Sequence, residues 1–147
     1  MAHSEFLRIV FPWPDWKLSP NGRSNNINYQ ASITSLARGD AKNLTLEQLE
    51  GKPIFVASTM LWSIWMFSEP DNHTRDRGNM RAAMKAAQDG VFDAIQRDDS
   101  IVEDELLFRA DVVKGGAVEL RLYEDCRQWI DDIIALTAAK RMQGDDE

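Results

Sequence analysis

The sequence predicts an α+β fold: a small mixed β-sheet that includes a β-hairpin, with amphipathic helices packed against it. Three observations carry this. Short runs of β-branched and aromatic residues stop at proline or polar turn formers. One stretch, residues 79–96, repeats its apolar residues at helical spacing. Two further apolar segments flank Lys114-Gly115-Gly116. The chain has 147 residues, enough for one domain with its own core.

Phe6 to Phe11 (FLRIVF) reads as a strand, stopped by Pro12 and Pro14. Pro-Trp-Pro-Asp-Trp and Ser19-Pro20-Asn21-Gly22 then predict an ordered loop. Residues 28–50 give a faint helical signal through Ile33, Leu36 and Ala37, with a short capped turn opening at Thr45. Residues 53–68 (PIFVASTMLWSIWMFS) are apolar at odd and even positions alike, which predicts a central strand covered on both faces. A helix of similar length is the competing reading there. Glu69-Pro70-Asp71-Asn72 breaks the element.

Between 79 and 96, Met80, Ala83, Met84, Ala87, Val91, Ala94 and Ile95 form one stripe, with Arg81, Lys85 and Gln88 opposite. Gly90 costs about 1 kcal/mol relative to alanine, so the helix is expected to bend or stop there. Residues 106–113 and 117–123, joined at Lys114-Gly115-Gly116, predict the hairpin. A last helix covers about 125–140, with Cys126, Trp129, Ile130, Ile133 and Leu136 on one side, and residues 142–147 are expected to be disordered.

The lone Cys126 cannot close an internal disulfide, which fits a reducing cytoplasm. No basic-then-apolar leader is visible, so no signal peptide is expected. The longest apolar run, Ile54 to Phe67, is interrupted by Ser58, Thr59 and Ser63 and is too short for a bilayer, so no membrane association is expected. His3 and His73 lack partners at zinc-ligand spacing. A P-loop and a Gly-rich dinucleotide turn are both absent.

The net charge of −7 argues against a general nucleic-acid binder. Its distribution is more informative. Residues 1–52 hold six basic and five acidic groups, residues 53–124 eight and thirteen, and residues 125–147 three and six. Inside the acidic middle, Arg75, Arg77, Arg81 and Lys85 surround Asp76, while Asp98, Asp99, Glu103, Asp104 and Glu105 follow without a base. Mg²⁺ takes hard oxygen ligands, usually one or two carboxylates with water and phosphate oxygens. Phosphodiester hydrolysis uses such an ion to orient water and neutralise developing charge. Asp76, Asp98 and Asp99, with Arg75, Arg81 and Lys85, are residues of that kind. Two solvated faces of opposite charge are the plainer reading of the same runs.

Phe11-Pro12-Trp13-Pro14, then Ser19-Pro20-Asn21-Gly22-Arg23, Arg75-Asp76-Arg77-Gly78-Asn79, Asp98-Asp99 and Lys114-Gly115-Gly116 occur in this order. The combination, over roughly residues 6–124, resembles the RusA-type Holliday-junction resolvases, a family of phage or bacterial proteins. The resemblance implies a homodimeric, RusA-like domain over 1–124 that binds four-way DNA junctions and makes paired nicks with Mg²⁺ in recombination and repair. The C-terminal helix, taken as 125–141 and expected to pack on the domain or on the dimer partner, and the tail over 142–147 lie outside the resemblance. The resemblance further implies Asp76, Asp99 and Lys85 as catalytic residues, with Lys85 preferred to Arg81. Asp76, Asp98 and Asp99 would bind metal, and Asn21, Arg23, Arg75, Arg77 and Arg81 would contact DNA. Gly78 stands where the family motif has its second aspartate, which predicts weaker metal binding unless Asp71 or Glu69 substitutes.

An unbroken helix over 79–96 would be about 27 Å long, too long for Asp76 and Asp99 to share an ion across it. Either the chain doubles back after Gly90, which is favoured slightly, or two subunits contribute to each centre. A protein that binds branched DNA without cutting is the alternative function. A third reading is an acidic dimeric module for a protein partner, using the last helix and exposed tryptophans. Trp13, Trp16, Trp62, Trp65 and Trp129 are expected in the core or an interface, with Trp16 the best exception.

Overall fold

The computed structural model describes residues 5–50 and 59–145. Strand β1 (Leu7–Pro12) alternates buried Leu7, Ile9 and Phe11 with exposed neighbours, the period of a half-covered strand. Helix α1 spans Ile27–Gln48, capped by the Asn26 side chain, which accepts from the Tyr29 N–H at 3.0 Å. The helical signal at 28–50 was thus faint for a regular 22-residue helix. Thr45 does not cap a turn: it is buried inside α1, its hydroxyl donating to the Ala41 carbonyl at 2.7 Å.

Strand β2 (Leu61–Ser68) is the central strand expected, and the predicted positions 53–58 lie outside the described residues. Helix α2 (Arg77–Ala83) and helix α3 (Lys85–Ile95) replace the single expected helix. The break falls at Met84, not at Gly90. Gly90 instead lies within α3 where α1 crosses it: a Cβ there would sit 2.1 Å from the Arg38 carbonyl oxygen and 2.9 Å from the Lys42 nitrogen. The glycine allows a close helix crossing. The chain turns after Ile95 through Gln96, in the left-handed region at φ 59°.

Strand β3 (Val102–Arg109) and strand β4 (Ala117–Tyr123) do not form the expected hairpin. The sheet order is β1-β4-β2-β3, with β2 parallel to β3 and antiparallel to β4. The intervening chain passes the end of β2, where Ala110 N–H donates to the Phe67 carbonyl at 2.9 Å and Val113 N–H to the Glu69 carbonyl at 3.0 Å. Gly115 and Gly116, at φ 83° and 71°, make the reversal. The turn was read correctly; the pairing was not. The apolar β2 gains cover on both edges by lying between the other two strands. The parallel β2–β3 pair needs a long crossover, which α2 and α3 supply.

One face of the sheet, with Leu7, Ile9, Phe11, Trp65, Phe67, Val118, Leu120 and Leu122, joins Met80, Met84, Val91, Phe92 and Ile95 in the main core. The alternate residues Ile64 and Tyr123, also buried, point to the other face. Helix α4 (Cys126–Asp145) lies there: Trp129 Nε1 donates to the Ser63 carbonyl at 2.9 Å and Tyr123 OH to Asp132 at 2.6 Å. Burial, reinforced by Asp132, holds the Tyr123 hydroxyl above its usual range, so it stays a neutral donor. Helix α4 continues through Asp145, into the segment expected to be a disordered tail. No helix among the described residues is long and apolar enough to cross a membrane.

Candidate nucleic-acid interface

The sheet has two chemically different ends. At the first, the C-terminal ends of β2 and β3, four of the five sequence pieces meet. The loop after β1 forms two 3₁₀ turns, Trp16–Leu18 and Pro20–Gly22. Trp13, Trp16, Asn21, Arg75, Asp76 and Asn79 line one open hollow of about 730 Å³. Gly116 closes onto its wall, its Cβ position 3.0 Å from Trp13 and 3.1 Å from Pro70. Lys114 is therefore carried to the same end.

Each charged group here has a distinct role. Asp76 caps α2, accepting from the Asn79 N–H at 2.9 Å. Arg75 is held inward: it meets Asp71 at 2.8 Å and Glu69 at 3.4 Å, and lies 5.5 Å from the Trp13 ring centre. The Arg75 hydrogen bond, then the His73 backbone N–H, pulls the Asp71 carboxyl down to about 2. Arg109 reaches the Arg75 carbonyl and Glu69. Asp71 and Glu69 are thus engaged with arginines. Arg23, Arg77 and Lys114 are exposed and have no protein partner among the described residues. Asn21 is exposed beside them. Lys114 was missed as a candidate, because Lys-Gly-Gly announces a turn and not where that turn is carried.

The second end gathers the acids. Asp99, Glu103, Asp104 and Glu105 line a separate hollow with Gln88. Asp98 caps the short turn before β3, accepting from the Ser100 N–H at 2.8 Å, and that bond holds its carboxyl below the usual range. Asp99 receives Lys85 Nζ at 2.5 Å and Gln88 Nε2 at 3.0 Å. Asp99, then Asp89, pushes the Lys85 ammonium above its usual range, so it is a fixed cation. Two expected catalytic residues, Lys85 and Asp99, are therefore adjacent. Arg81 is spent inside the fold: it pairs with Glu105 at 2.9 Å, bonds Gln88, and lies 4.6 Å from the Trp65 ring centre.

Asp76 does not join Asp99. Arg75 sits at the last residue of β3 through Arg109, whereas Asp99 precedes its first. Along β3 itself, Val102 and Arg109 are seven strand steps apart, about 23 Å. The chain does double back, after Ile95, but this brings Asp99 to Lys85 and not to Asp76. Among the described residues no three His, Cys, Asp or Glu side chains form a group able to hold a metal ion. At Gly78 an added Cβ would meet only Asp76 Oδ1, at 3.1 Å, so a side chain fits there with a small adjustment. No protein-family model matches the chain, and no curated protein matches it.

Proposed function

We propose that the chain is a RusA-type protein of DNA recombination and repair: a cytoplasmic, homodimeric hydrolase scaffold that binds four-way junctions. Its Mg²⁺-dependent endonuclease activity is limited by Gly78. The observation that carries this reading is convergence: pieces spread from Trp13 to Gly116 meet around one hollow. Arg23 and Arg77, within two residues of the lining residues Asn21 and Asp76, and Lys114 are exposed and have no partner among the described residues, so they can take phosphates. Unpaired cations on one end give a net acidic protein a DNA-binding face, since local charge decides phosphate contact.

Cutting is the weaker half of the function. A centre built from Asp76, Asp98 and Asp99 would be one carboxylate short, because Gly78 contributes no oxygen to it. The outer side of α4 exposes Ile130 at 45%, Ile134 at 61% and Met142 at 70%, a surface available to a second copy or another protein.

Binding of a synthetic four-way junction and of a linear duplex of equal length, measured by anisotropy across a salt series, tests the reading. The junction should bind more tightly, with affinity rising as salt falls. Equal binding of both, or binding of neither at low salt, removes the proposal.

A further inference from the structure

Trp16 is 68% exposed, more than any other tryptophan, tyrosine or phenylalanine among the described residues. Each neighbouring tryptophan has a partner. Trp65 is buried and stacks on Phe11 and Phe67, Trp13 lies under Arg75, and Trp129 hydrogen-bonds to the sheet. Trp16 has no ring contact and no indole hydrogen bond within the described residues.

Exposure here does not mean a loose side chain. The Asp15 side chain caps the first turn, Ser19 N–H donates to the Trp16 carbonyl at 3.0 Å, and Gly22 N–H donates to Ser19 at 2.9 Å. The two turns fold Gly22 beneath the tryptophan: a Cβ at 22 would fall 2.1 Å from the Trp16 carbonyl oxygen and 2.8 Å from ring atom Cδ2. The ring rests on bare backbone and stands at the mouth of the hollow. Holding a large apolar ring in water is unfavourable, and the backbone around it is built to do so.

We propose that the hollow beside Trp16 receives an unpaired nucleobase of branched DNA, stacked on the exposed indole. This rests on the junction-binding reading above. A base presents a flat π-face to the ring and a hydrogen-bonding edge to Asn21, Thr74 and Asn79, whose amide and hydroxyl groups can both donate and accept. Its phosphates are matched by the free Arg23 and Arg77. An aromatic platform beside cations holds single-stranded bases with little sequence preference. Extruding a base costs less where its stack is interrupted, as at the open centre of a junction, than within continuous duplex, so the hollow selects junctions.

The test compares the native chain with Trp16→Ala and Trp16→Phe on a junction carrying 2-aminopurine at the branch point, on one carrying it in an arm, and on linear duplex. Trp16→Ala should lower junction affinity roughly 5- to 150-fold, the range for losing one stacked base, and leave duplex affinity unchanged. Trp16→Phe should keep most of it. Fluorescence of the branch-point base should change on binding the native chain and not on binding Trp16→Ala; the arm probe should stay silent with both. Circular dichroism confirms that each variant folds. If the native chain prefers the junction and Trp16→Ala binds it equally well, the base site is wrong while junction binding stands. Equal losses on junction and duplex also overturn it. Absence of any junction preference in the native chain removes both.

Discussion

The two ends of the sheet use the same residue types to opposite effect. At the end that carries Trp13, Trp16 and Arg75–Asn79, the acids Glu69 and Asp71 are consumed by Arg75 and Arg109, while Arg23, Arg77 and Lys114 have no partner among the described residues and share the end with exposed Asp76 and Asp111. At the end that carries Asp98–Glu105, the cations are consumed: Lys85 by Asp89 and Asp99, Arg81 by Glu105. A count of charges along the chain finds arginine beside aspartate in both places. Partnering decides which sign faces solvent, and so which end can meet phosphate.

The largest expected effect concerns the frame that separates the ends, α3 crossing α1 at Gly90. Helix propensity alone favours Gly90→Ala by about 1 kcal/mol. The steric cost of a methyl 2.1 Å from the Arg38 carbonyl oxygen should win, with a net loss near 3 kcal/mol, read by urea unfolding. A gain in stability would mean that the helices cross elsewhere. Next, Arg23→Ala with Arg77→Ala should flatten the slope of log affinity against log salt for junctions by about two, one for each lost phosphate contact. Lys85→Ala should leave that slope unchanged. An equal change from Lys85→Ala would erase the distinction between the ends.

Asp99→Asn should cost less than about 1 kcal/mol, because its ion pair with Lys85 is on the surface; thermal unfolding measures this. The smallest effect is the pH response of Asp71. Its folded carboxyl is held at about 2, against about 3.9 when unfolded. Its pairing with Arg75 therefore stabilises the fold above about pH 4, and this contribution fades as pH falls towards 2. A carboxyl-carbon NMR titration should give a midpoint near 2. A midpoint at the ordinary value would mean that Arg75 does not pair with Asp71.

Local signals in the sequence were enough for β1, the turn at Gly115-Gly116, the helical character of the motif segment and the central place of β2. Long-range pairing was not legible. Lys114-Gly115-Gly116 specifies a reversal, yet nothing local says that β2 enters between the strands it joins. Helix α1 gave a faint signal because only Ala41 and Thr45 are buried on it; it meets α3 through small groups at Gly90, which leave little apolar periodicity. Of the candidate residues, Lys85 and Asp99 meet as partners, and Asp76, Arg77 and Asn21 share the first end with Arg23. The inward turn of Arg81 and Arg75 depends on Glu105, Glu69 and Asp71, whose positions only the folded chain sets.

Mg²⁺-dependent nicking of a four-way junction by the native chain and by Gly78→Asp tests the central claim most directly. An aspartate at 78 stands beside Asp76 and near the start of α2, where negative charge is favoured, so the variant should fold. It should nick the junction faster by at least the ~10–100-fold that even an outer-shell change at a metal centre commands, while both proteins bind the junction alike. A variant that binds the junction but cuts no faster than the native chain would contradict the account.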